Sequence, residues 1–119
     1  MKKYIKQTEP FIVPTDDDKY IEEYFGNASL HYDGCGFYKI EVPPRWKEPH
    51  QTPEFDEIVL VNKGKIEITI DKERVVLNTK ESILLKKNNR IRFRNPFDDP
   101  CEFFSICLPP FSLKTVHRE

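Results

Sequence analysis

His50 and Glu57 bound the stretch HQTPEFDE, and they are residue types that hold a divalent transition metal or exchange protons. An imidazole seven positions ahead of a carboxylate supplies two metal ligands, or a general base oriented by a carboxylate. The same spacing also fits a loop histidine and a solvated strand end. Glu57 opens the run EIVLVN, where Val59 and Val61 fall on its side. If that side faces inward, Glu57 is a buried carboxylate and needs a partner or a raised pKa. A second group is Arg90, Arg92 and Arg94, which alternate with Ile91 and Phe93 and so share one strand face. Like charges in a row call for anions. Those are expected from Asp98, Asp99 or Glu102, from a second subunit, or from a bound carboxylate or phosphate. A one-residue bulge would instead turn Arg92 into the interior.

The elements that must position these groups are short and alternate in polarity. GFYKIEV puts Tyr38, Ile40 and Val42 on one side; KIEITI does the same with Ile66, Ile68 and Ile70. EIVLVN and KIEITI, joined by a turn at KG, read as a hairpin. RVVL, SILL, RIRFRN and CEFFSICLP follow at similar spacing, separated by DKE, KKNN and PFDDP. That rhythm predicts an all-β sandwich or small barrel. Upstream, FIVP adds an edge strand, and DDDKYIEEYFG reads as a short helical turn begun by aspartates and stopped at Gly26. PPRWKEPHQTP is a proline-rich connector, with Trp46 as a lid over a pocket or a plug at an interface.

A chain of 119 residues is the length of one domain, 1–119, with residues 1–36 before the main β region and an arm over 110–119. Nineteen basic residues stand against twenty acidic ones, so no basic field is available to hold nucleic acid or a membrane surface. No apolar run approaches a membrane span, and MKKYIKQTEP has no signal-peptide core. Cys35, Cys101 and Cys107 form no CxxC pair, so three reduced thiols in the cytoplasm are expected, with Cys107 in the core.

Two stretches then stand out by register. Pro44, His50, Thr52, Glu57 and Gly64 are separated by five, one, four and six residues. Lys80, Lys86, Asn88, Ile91 and Asn95 follow at intervals of five, one, two and three. The spacing resembles the two motifs of the cupin superfamily, G-x5-H-x-H-x3,4-E-x6-G and G-x5-P-x-G-x2-H-x3-N. The resemblance covers about residues 37–109 and implies a jelly-roll barrel, a double-stranded β-helix. His50, Glu57, Gly64 and Asn95 match the motifs. Thr52 and Ile91 stand where the family has its second and third metal histidines. Asn88 replaces a glycine and tolerates the left-handed backbone a tight turn needs.

The resemblance thus implies a barrel-mouth site with two of four metal ligands, His50 and Glu57. No cofactor is expected with tight affinity; a divalent transition metal would be weakly held. Glu57, Val59, Val61, Ile91, Phe93 and Asn95 face inward in the family register. Tyr38, Thr52, Arg92, Phe93 and Asn95 are the expected ligand-binding residues, with His50 and Glu57 as candidate catalytic ones. The functional expectation is a homodimeric cupin binding a small polar or anionic organic molecule. The alternative is a small cupin enzyme using His50 and Glu57, of the isomerase, epimerase or metal-dependent oxygenase type.

Overall fold

Alternation of β-branched and aromatic residues with polar ones becomes strands almost throughout the computed structural model, which describes residues 3–119. In chain order the elements are β1 (Phe11–Val13), β2 (Tyr20–Phe25), α1 (Asn27–Leu30), β3 (Gly36–Val42), β4 (Trp46–Lys47), β5 (Asp56–Lys63), β6 (Ile66–Ile70), β7 (Glu73–Leu77), β8 (Ser82–Leu85), β9 (Ile91–Asn95) and β10 (Cys101–Leu108). Six strands form one antiparallel sheet in the order β1-β2-β3-β10-β5-β8, and four form a second in the order β4-β9-β6-β7. The inner faces close on one another as the two halves of a jelly roll. Val59 and Val61 meet Ile66, Ile68, Ile91 and Phe93, all nearly or fully buried. Each such side chain contributes about 1.5–3 kcal/mol through burial, and together they fill one end of the barrel.

Two local expectations change. The runs at 56–63 and 66–70 do not form a hairpin: β5 pairs with β10 and β8, whereas β6 pairs with β7 and β9. The KG turn carries the chain from one sheet to the other. Val59 and Val61 are therefore buried face to face with Ile66 and Ile68 rather than beside them. Gly64 has φ of +77°, and a Cβ there would stand 2.4 Å from the Pro100 carbonyl oxygen, so only glycine fits the crossing. The KKNN turn likewise joins strands of different sheets, with Asn88 at φ of 69°, the left-handed backbone expected of it.

The N-terminal helical turn exists, but at Asn27–Leu30. The preceding YIEEYF is strand β2, pairing with β3 so that Ile21 stands opposite Ile40. β1 pairs with β2 of its own chain, and the tail bridges from Arg118 to Gln51, so both terminal segments lie against their own barrel. No helix among the described residues is long and apolar enough to cross a membrane.

Candidate functional site

The end of the barrel opposite the aliphatic plug holds a cavity of about 560 Å3. β5, β10 and β3 build its floor. Glu57 pairs with Cys107 across one ladder, and Ser105 pairs with Tyr38 across the next. Alternation points these four side chains to the same interior. Glu57 is 7% exposed, and its Oε2 accepts a hydrogen bond from Ser105 Oγ at 2.5 Å. Burial pushes its carboxyl up to about 7, with the neighbouring Glu48 charge adding to the shift and the Ser105 hydrogen bond opposing it. Burial also raises the Tyr38 phenol, whose oxygen accepts from the Phe111 amide at 3.2 Å. The Cys107 thiol is raised by burial and then by the Glu57 charge, so it stays a thiol and not a nucleophile near neutral pH.

The second sheet supplies the opposite wall, and a register slip decides which of its residues enter. β4 pairs Trp46 with Asn95 and Lys47 with Arg94, and regular continuation would set His50 opposite Ile91. Instead Gln51 faces Ile91, exchanging two backbone hydrogen bonds of 2.9 and 2.8 Å. One extra residue is therefore accommodated between 48 and 51, as in a β-bulge. Trp46, Glu48 and Gln51 line the cavity; His50 does not. His50 is half-buried, and its carbonyl accepts from the Glu119 amide. The slip falls opposite β9, where Pro49 interrupts the alternation, and the alternative of a bulge that turns Arg92 inward is not the one adopted.

The loop after β1 lines the mouth. Lys19 Nζ lies 3.4 Å from both Asp17 and Glu48 and 5.4 Å from the centre of the Trp46 ring, while Trp46 Nε1 donates to Asp17 at 3.2 Å. From the tail, Arg118 Nη2 donates to Gln51 Oε1 at 3.2 Å and stacks over Phe111. Burial raises the Glu48 carboxyl, and the fields of Lys19 and Arg118 pull it partly back. Lys19, Glu48, Gln51 and Ser105 were missed as a group. Gln51 could have been found from the proline that breaks the alternation before it; nothing in the sequence brings residue 19 to residue 48.

Of the sequence-predicted ligand-binding residues, Tyr38 and Phe93 line the cavity, as does the candidate catalytic Glu57, whereas Thr52, Arg92 and Asn95 do not. Thr52 is held at the rim by its amide bonding the His117 carbonyl. Asn95 is fully buried, and its amide binds the carbonyls of Pro43 and Asp99, which makes it the clasp of the following turn. Arg92 stays on the outer face, where its Nε donates to the Glu48 carbonyl at 3.0 Å beside the slip. Its neighbours do not use the expected aspartates: Arg90 makes two bonds to Glu119 and Arg94 two to Glu67.

The family's metal does not fit these residues. Thr52 and Ile91 replace two histidines, His50 lies outside the cavity, and Glu57 bonds Ser105. Among the described residues no group of three or more His, Cys, Asp or Glu side chains is placed to hold a metal ion.

Two packed sheets with a ligand-sized mouth define a small barrel of the cupin type, and comparison with known proteins agrees. A profile of the cupin domain (Cupin_2) matches residues 38–107, so the chain belongs to the cupin family. Endoribonuclease YbeY of Myxococcus xanthus (strain DK1622) is 35% identical over 108 residues, 91% of this chain, yet the chain spans only 37% of that protein. Among solved structures, a variant of PAC13 from Streptomyces with uridine is similar at a TM-score of 0.78 and 16% identity, covering 100% of this chain and 92% of PAC13. The polyketide cyclase RemF from Streptomyces resistomycificus follows at 0.71 and 15%, covering 91% of this chain and 80% of RemF. At such identities these two share the fold.

Proposed function

We propose that this chain is a small-molecule-binding cupin that takes a polar organic compound into the cavity above Glu57, without a transition metal at its centre. The observation that carries this is a buried carboxyl at the floor of a cavity of about 560 Å3 walled by aromatic side chains. That size lies within the roughly 300–1,000 Å3 of ordinary ligand pockets, and such sites combine apolar walls with a few placed polar groups. Glu57, Ser105, Gln51 and Tyr38 are those groups. A nucleoside-sized occupant is in keeping with the uridine of PAC13, a likeness of fold only. The lining holds more carboxyls than cations, which weighs against the anionic ligand suggested by the arginine row.

One observation favours a second reading, an acid–base enzyme. A carboxyl held at about 7 exchanges protons at neutral pH, as a general acid or base must. In that reading Glu57 alone, and not His50, is the proton-transferring group, with Tyr38 close by as a hydrogen-bond donor. A net charge of −1 offers little to hold a phosphate backbone, which weighs against carrying the nuclease activity in the Myxococcus protein's name over to this chain.

The test is a thermal-shift screen of nucleosides, sugars, amines and organic acids on the native chain. A ligand at a hundred times its Kd adds about 2.7 kcal/mol to stability, enough for a shift of several degrees. Several degrees from one chemical class is the expected result. A flat response across all classes would mean a barrel that holds no ligand.

A further inference from the structure

The cavity's polar groups are unequally satisfied. Five carboxyl side chains line it, Asp16, Asp17, Glu23, Glu48 and Glu57, against two cations, Lys19 and Arg118. Both cations are already engaged. Lys19 sits between Asp17 and Glu48, and Arg118 is spent on Gln51 and the Phe111 ring. Glu23 is used too, its Oε2 accepting from the Ser29 amide. Glu57, on the floor strand β5 and 7% exposed, has no ion-pair partner among the described residues, though the charge of Lys19 is also felt there. Only its Oε2 has a protein donor there, so Oε1 is left for whatever fills the cavity. Tyr38, Trp46, Phe55, Phe93, Phe103 and Phe111 line the same cavity, with Trp46 under Lys19, Phe111 under Arg118, and Phe93 stacked on Phe103. A carboxylate without an ion-pair partner among the described residues, in a cavity lined by aromatic side chains, is complementary to a positive charge on an apolar body. The carboxylate answers the charge directly, and the aromatic lining buries the apolar body.

We propose that the cavity is selective for a small organic cation, a protonated amine on an aromatic or otherwise apolar body, with the ammonium group bonded to Glu57 Oε1. This rests on the cavity being a small-molecule site at all. Gln51 Nε2, whose Oε1 partner is Arg118, is a donor for an acceptor elsewhere on the ligand.

Matched probes separate the two ideas. Isothermal titration of the native chain compares tyramine with tyrosol, and phenethylamine with phenethyl alcohol, pairs that differ in ammonium against hydroxyl. Each amine is expected to bind at least about tenfold more tightly than its alcohol. Glu57→Gln, which keeps shape and removes charge, should cut the preference to about twofold. Cooperative unfolding of the variant shows that its fold is intact, and His50→Ala, outside the cavity, should keep the full preference. Equal binding within both pairs overturns the cation and leaves the cavity as a site. A preference that survives Glu57→Gln overturns the role of Glu57. Failure of all four probes at millimolar concentration overturns both readings.

Discussion

Of the two residues that first suggested chemistry, Glu57 reaches the cavity and His50 does not. Both match the cupin motif by spacing, so spacing alone could not separate them. What separates them is the extra residue between Glu48 and Gln51, which rotates His50 away and Gln51 in. His50→Ala is therefore expected to change stability by less than about 0.5 kcal/mol, as a partly exposed position without a side-chain hydrogen bond among the described residues should, when read by urea denaturation. Ser105→Ala acts differently. The Ser105 hydroxyl stabilises the ionised form of Glu57, so removing it should move that carboxyl above its value of about 7. Carbon-13 NMR of the Glu57 carboxyl against pH reads this directly; a midpoint moved downward would show that the hydroxyl serves the neutral form.

At the scale of elements, most of the strands were legible because alternation dictates which side is buried, and Tyr38, Val59, Ile68 and Phe93 all obeyed it. Which strands pair was less legible. A turn of KG between two alternating runs has the form of a hairpin, yet here it carries the chain between sheets. Local sequence records the turn and not the partner, which long-range packing of β5 on β10 selects. YIEEYF was misread for a related reason: flanking aspartates and a glycine imitate helix caps, while the decisive partner, β3, lies farther along the chain. The crossing at Gly64 carries its own prediction. Alanine there must hold φ of +77° and meet the Pro100 carbonyl oxygen at 2.4 Å, so Gly64→Ala should destabilise the chain by about 1–3 kcal/mol. A denaturation midpoint unchanged from the native chain would show that the turn can relax.

For the molecule as a whole, one end of the barrel is aliphatic and filled, and the other is aromatic, acidic and open. A family register predicted the barrel and its mouth, but the lining also needs segments outside the motifs: the loop at 14–19 and the tail from Phe111 to Arg118. Lys19 meets Glu48 only because β1 and β2 fold over the mouth. The central claim is that Glu57 lies at the floor of that mouth, buried and without an ion-pair partner among the described residues. Its folded pKa of about 7 lies above the usual 4.5, so between those values the folded chain binds more protons than the unfolded one. Stability contributed by Glu57 is thus full below about 4.5 and is lost as pH rises through about 7. The most direct test is the free energy of unfolding of the native chain minus that of Glu57→Gln, followed by urea denaturation from pH 4.5 to 8. The difference should fall by about 3 kcal/mol across that range. A difference that stays level, or rises with pH, would mean that Glu57 is solvated or already paired, and that the cavity is not built around it.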